Sequence, residues 1–93
     1  MIDFDQKTPA EIGASVAGRV RVRRKELGLT QAQVSGKAGM SLASYKRFEQ
    51  KGLIAFDALI RIAIALGCED DFDKLFSKRG YSSIEEVIRG KKR

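Results

Sequence analysis

The chain contains no histidine and no tryptophan, and it has one cysteine and one proline. Without histidine, neither a Ser–His nor a Cys–His catalytic pair can be assembled, and the common imidazole metal sites are lost as well. Cys68 has no second cysteine to pair with, which fits a reducing compartment. No run of about 18 apolar residues occurs, so no membrane span is encoded. The opening Met-Ile-Asp-Phe-Asp carries acids where a signal peptide is basic and then apolar. Repeats, linkers and low-complexity tracts are also missing. A single cytoplasmic domain without cofactor is therefore expected over residues 1–93, and an enzyme is disfavoured.

What is present is charge and apolar surface. Hydrophobic residues make up 43% of the chain, enough for one compact core but not two. Eighteen Lys and Arg against 12 Asp and Glu leave a net charge of +6. A basic balance on a domain this small favours an acidic partner, most often nucleic acid.

Cap residues divide the chain into helices. Thr8-Pro9-Ala10-Glu11 has a cap hydroxyl, a proline at the first helical position and an acid three residues after the cap. It opens a helix expected to reach about Leu27, with Ile12, Val16 and Val20 on its inner face and Gly13 and Gly18 weakening its first half. The alternation Arg19-Val20-Arg21-Val22-Arg23 has the period of a strand, but it is short and lies inside this longer helical frame. Thr30-Gln31-Ala32-Gln33 is a second capping box, for a helix ending at Ala38 before Gly39. Ser41 caps a third helix, Leu42 to about Gln50, and Gly52 marks its exit. A fourth spans about Asp57–Leu66 with Leu59, Ile62, Ala63 and Leu66 as its core stripe. Its nearly all-round apolarity suggests cover on more than one side, in part from a second copy. A fifth, opened by Glu69-Asp70-Asp71, should carry Phe72, Leu75 and Phe76. The acids Glu69 to Asp73 lack the spacing of a calcium loop. Ser82 and Ser83 precede Glu85 and Glu86 and should open a short last helix, Ile84–Arg89. The core is expected at about 9–78, with 79–93 as a C-terminal extension.

The stretch 30–50 carries the most information. Two short capped helices are joined by Gly39-Met40-Ser41, a connection too short for them to run antiparallel. They must cross steeply, with Val34 and Ala38 meeting Tyr45 and Phe48 inside the angle. This is helix-turn-helix geometry, in which the first helix rests on the DNA backbone and the second probes the major groove.

At this point the sequence resembles a known family. Val20, Arg24, Gly28-Leu29-Thr30-Gln31, Val34-Ser35, Ala38-Gly39, Ser41, Phe48-Glu49 and Gly52 follow the order and spacing of the Cro/cI-type (XRE) helix-turn-helix regulators. Leu59, Ile62-Ala63 and Leu66-Gly67 match that family's closing helix. The resemblance covers about half of the chain. It implies an all-α, lambda-repressor-like five-helix domain with a short extra C-terminal helix, working as a homodimeric repressor on a palindromic operator in double-stranded DNA. It also implies that Arg24 and Glu49 form a structural ion pair. Two departures stand out. Leu42 and Ala43 occupy reading positions that are commonly polar in the family, and Glu49-Gln50-Lys51-Gly52 is one residue longer than the usual exit.

The candidate DNA-binding residues are Thr30, Gln31, Lys37, Ser41, Leu42, Ala43, Ser44, Lys46, Arg47 and Lys51. Gln31, with the exposed backbone N–H groups beside it, suits a phosphate oxygen, and Lys37 and Lys51 flank the motif as further phosphate contacts. Arg47 can grip guanine O6 and N7 with two hydrogen bonds, with Lys46 and Ser44 as its companions. Leu42 and Ala43 can touch only a thymine methyl. Tyr45 is expected in the core, although its hydroxyl could reach outward to a phosphate. Of Arg19, Arg21, Arg23 and Lys25, some should face the DNA backbone and others only solvent, and Lys91-Lys92-Arg93 would add nonspecific attraction.

Two other readings stand beside the repressor. Tyr45–Gln50 and the run from Ala65 to Phe76 are similar to regulators that accompany HipA-like kinase toxins, which implies an antitoxin or co-repressor subunit and a kinase partner. Alternatively, the apolar Leu42 and Ala43 would suit a protein-interaction adaptor that no longer reads DNA.

Overall fold

Each of the first two helices begins at a threonine whose hydroxyl takes the place of a missing turn. The computed structural model describes residues 6–78. Thr8 Oγ1 accepts the Glu11 N–H at 3.1 Å, and the Glu11 carboxylate accepts the Thr8 N–H at 2.8 Å. Thr30 and Gln33 repeat the exchange at 3.0 and 2.8 Å. These two capping boxes open α1 (Pro9–Glu26) and α2 (Gln31–Lys37). Ser41 caps α3 (Leu42–Lys51) by accepting the Ser44 N–H at 3.0 Å. α4 (Phe56–Ala65) and α5 (Asp70–Asp73) follow. The fold is all-α, with no strand among the described residues, and the alternating Arg19–Arg23 stretch is a turn and a half inside α1. No helix there is long and apolar enough to cross a membrane. The last helix expected at Ile84–Arg89 and the Lys91-Lys92-Arg93 tail lie outside the described residues.

The core gathers Ala17 from α1, Val34 and Ala38 from the second helix, Tyr45 and Phe48 from the third, and Ile62 and Leu66 from the fourth. Val34, Tyr45 and Ile62 are fully buried. The steep α2–α3 angle is thus filled by the expected side chains. Gly39 makes the turn with φ of +67°, a left-handed value costly for any residue with a Cβ.

α1 follows its expected setting in part: Val16 and Val20 pack half-buried against the core, whereas Ile12 is exposed. The face that meets α3 also runs through Gly13, Ala17 and Arg24. Gly13 marks a close backbone approach. A Cβ on Gly13 would lie 2.9 Å from the Gly52 carbonyl oxygen, and one on Gly52 would lie 2.5 Å from the Gly13 carbonyl carbon. Gly13 therefore notches α1 so that the end of α3 can dock, and α1 is continuous through it.

α4 is tied to the turn by Arg61, whose Nε donates to the Ala38 carbonyl at 2.9 Å while its Nη1 meets Asp57 at 3.1 Å. The fifth helix is shorter than expected. It has no side-chain cap and makes a single turn, and one turn alone is a poor helix nucleus. Phe72 packs edge-on against Phe56 at 5.8 Å between ring centres. Leu75 and Phe76 lie beyond the helix and are exposed, Phe76 in the left-handed region at φ of +63°. Leu59, expected in the core stripe, is half-buried and lines an open groove between α1, α4 and α5.

Candidate nucleic-acid interface

α3 is two-faced. Tyr45 and Phe48 point into the core, whereas Leu42, Ala43, Ser44, Lys46 and Arg47 lie exposed on the other side. Three to four residues per turn put the two sets on opposite stripes. The sharp turn at Gly39 leaves the outer stripe uncovered by the rest of the described chain.

The buried stripe ends in one carboxylate. Glu49 Oε2 accepts from Arg24 Nε at 2.7 Å and from the Tyr45 hydroxyl. Its Oε1 accepts from Arg24 Nη2 at 3.2 Å and from Gln31 Nε2 at 3.0 Å. Arg24 also donates to the Leu29 carbonyl at 2.9 Å, which fixes the α1–α2 connection. The Glu49 and Arg24 side chains are only 4% and 10% exposed, so this is a desolvated, bidentate pair. Burial alone would raise the Glu49 pKa, but hydrogen bonds from Arg24, Tyr45 and Gln31 outweigh it and hold the carboxyl below its usual range. Burial, and next the bond to Glu49, push the Tyr45 phenol upward. The pairing with Glu49 in turn raises the Arg24 pKa.

One expectation changes here. The Tyr45 hydroxyl is turned inward to Glu49, so it does not reach outward to a phosphate. Gln31, the candidate phosphate contact, has one amide N–H directed at Glu49 and is half-buried. It lines a hollow together with Arg21, Lys25 and Gln50. The basic residues of α1 are thereby sorted. Arg21 and Lys25, four residues apart, stand beside Gln31, whereas Arg19 and Arg23 line the apolar groove on another side of the same helix. The α1 sequence held this signal, because residues four apart share a helix face, but not which pair would lie next to α2.

Of the other candidates, Thr30 is spent on its capping box and Lys37 is exposed at the end of α2. Ser41 donates its hydroxyl to Ser44 Oγ at 2.9 Å, so the two serines are linked at the head of α3. Lys51 lies in the last turn of α3, before Gly52 closes it in the left-handed region at φ of +71°. The extra exit residue thus extends α3 to Lys51.

This arrangement defines a class. A family model described as Helix-turn-helix matches residues 20–72, and the chain belongs to that family. Among curated proteins, it is 35% identical over 71 residues to the cryptic phage CTXphi transcriptional repressor RstR of Vibrio cholerae. The match takes in 75% of this chain and 62% of the Vibrio protein, so it spans less than two thirds of that repressor's length.

Proposed function

We propose that this protein is a sequence-specific, DNA-binding transcription regulator that acts as a homodimeric repressor in the cytoplasm. The observation that carries the reading is the outer stripe of α3. Ser44, Lys46 and Arg47 are presented by a helix whose other face is buried, in a chain of the helix-turn-helix family. The net charge of +6 and the likeness to a phage repressor support it. In this reading α3 enters the major groove, where Arg47 takes a guanine, Lys46 and Ser44 take neighbouring edges or phosphates, and Leu42 and Ala43 pack on thymine methyls. Gln31, Lys37, Lys51 and the Thr30 and Ser41 helix heads meet phosphates, with Arg21 and Lys25 beside them. A dimer sets two α3 helices about 34 Å apart on a palindromic site.

Gel-shift titration against the DNA upstream of its own gene, at two salt concentrations, tests this. Specific binding that weakens steeply as salt rises is expected. Arg47→Ala is expected to lose about 1–3 kcal/mol of discrimination at one base position. Gln31→Ala should weaken all sequences equally. Equal loss on every operator variant for Arg47→Ala would remove its reading role. An adaptor that no longer reads DNA would prefer no sequence in the same titration. An antitoxin or co-repressor would bind its promoter and also co-purify with a HipA-like kinase.

A further inference from the structure

One apolar surface lies outside the proposed DNA interface, and it carries both a hollow and a knob. The hollow is the groove between α1, α4 and α5, about 390 Å³ in volume, with walls of Val16, Val20, Phe56, Leu59, Phe72 and Leu75. Phe56 is 61% exposed and Leu75 46%, so its apolar walls stand open to water. The knob is Phe76, which follows Leu75 directly and is 93% exposed. Its backbone is left-handed, at φ of +63°, an outlier for so bulky a residue. Within the described chain neither the strained backbone nor the exposed ring gains anything. Strain of this kind persists where a contact uses it.

The charges around the groove are divided by sign. Arg19 and Arg23 of α1 stand on one side, and α5 brings Asp70, Asp71 and Asp73 to the other. Arg23 meets Glu26 at 3.4 Å, whereas Arg19 bonds only the Ser15 hydroxyl, at 2.7 Å. Among the described residues, Arg19 and the three α5 aspartates form no ion pair.

We infer that this face is the contact between two copies of the chain. Phe76 of each copy seats in the groove of the other, and Arg19 of each faces Asp70 and Asp71 of the other. The inference rests on the homodimer proposed above and names its surface. A second copy is the occupant that fits, because the patch complements itself twice over: it holds a knob beside a hole, and an unpaired cation beside unpaired acids. A two-fold axis places each beside its complement in one step, and such a contact closes at two.

Sedimentation of the full-length chain without DNA tests this, so a failure to read DNA does not enter. Wild type is expected to be dimeric at micromolar concentration. Phe76→Ala should raise the dimer dissociation constant at least about tenfold and leave the helix content of the monomer unchanged, since its ring packs on nothing in its own chain. Arg19→Glu should weaken self-association, and so should Asp70→Lys combined with Asp71→Lys. An equimolar mixture of these two charge variants should dimerise again, because each copy then meets the opposite sign at both contacts. A variant that had merely misfolded would not recover on mixing. A wild type that stays monomeric overturns the inference together with the homodimer. A dimer that Phe76→Ala leaves unmoved, or charge variants that do not recombine, overturns the inference alone and moves the dimer contact to another face.

Discussion

Glu49→Ala is expected to cost about 3–5 kcal/mol of stability, because it leaves the Arg24 guanidinium buried without its partner. At about 4–8 °C per kcal/mol for a domain this size, Tm should fall by at least roughly 12 °C. Arg24→Ala should do comparable damage from the other side, since Glu49 then keeps only the Tyr45 and Gln31 donors. Thermal unfolding of the two single variants and the double variant checks this. The double variant should lose much less than the two single losses combined, because the worst outcome is one buried charge facing nothing. The same contact gives a pH signature. The folded-state pKa of Glu49 lies below its unfolded value, so its contribution is complete above the unfolded pKa and is lost as pH falls through the folded one. Stability should therefore decline below about pH 4.3. Glu49→Gln, already weakened at neutral pH, should show a shallower decline than wild type in urea unfolding compared between neutral pH and a pH below that point. Equal slopes would show that other carboxylates carry the acid sensitivity.

Gly52→Ala is the second large effect. The left-handed backbone alone costs a Cβ-bearing residue about 1–2 kcal/mol, and overpacking adds about 1–3 kcal/mol. The added methyl would stand 2.5 to 2.8 Å from the Gly13 carbonyl group and the Ala14 nitrogen, which are backbone and cannot step aside without moving α1. Gly39→Ala is the matched control. Its φ is +67°, but nothing lies within 4 Å of the position its Cβ would take, so it should lose only the conformational part. Denaturant midpoints for the two variants should differ clearly, with Gly52→Ala the worse. If they matched, the α1–α3 close approach would carry no weight in stability.

The helices that open on Thr8, Thr30 and Ser41 were legible in the sequence because a cap acts on the N–H groups two or three residues ahead, and both partners sit within four letters. The angle between α2 and α3 was legible for the same reason, since a three-residue link with a left-handed glycine leaves the chain few paths. The close approach of α1 to α3 was not. It depends on Gly13 and Gly52 touching across a long stretch of chain, and a glycine in a sequence declares freedom without declaring what will approach it. Of the apolar letters Ile12, Val16 and Val20, the last two do pack against the core and Ile12 is exposed. α5 was overestimated because Phe72, Leu75 and Phe76 have helical spacing, yet a single uncapped turn cannot carry them. At the candidate site, exposed Arg47, Lys46 and Ser44 followed from the α3 pattern. The Glu49 hub was visible only as the pair that the family resemblance implied. Its Gln31 and Tyr45 arms required the packed structure.

The separation of the two stripes of α3 bears on how such a protein diversifies. The hydrogen bonds that tie the helix to α1 and α2 end on Glu49, its core contacts are Tyr45 and Phe48, and the outer residues Ala43, Lys46 and Arg47 take part in none of these. Exchanges at those outer positions should shift stability by no more than about 0.5 kcal/mol. In the proposed reading the scaffold is then a fixed handle with an interchangeable bit: drift or engineering would retarget it to a new site without renegotiating the architecture that holds it.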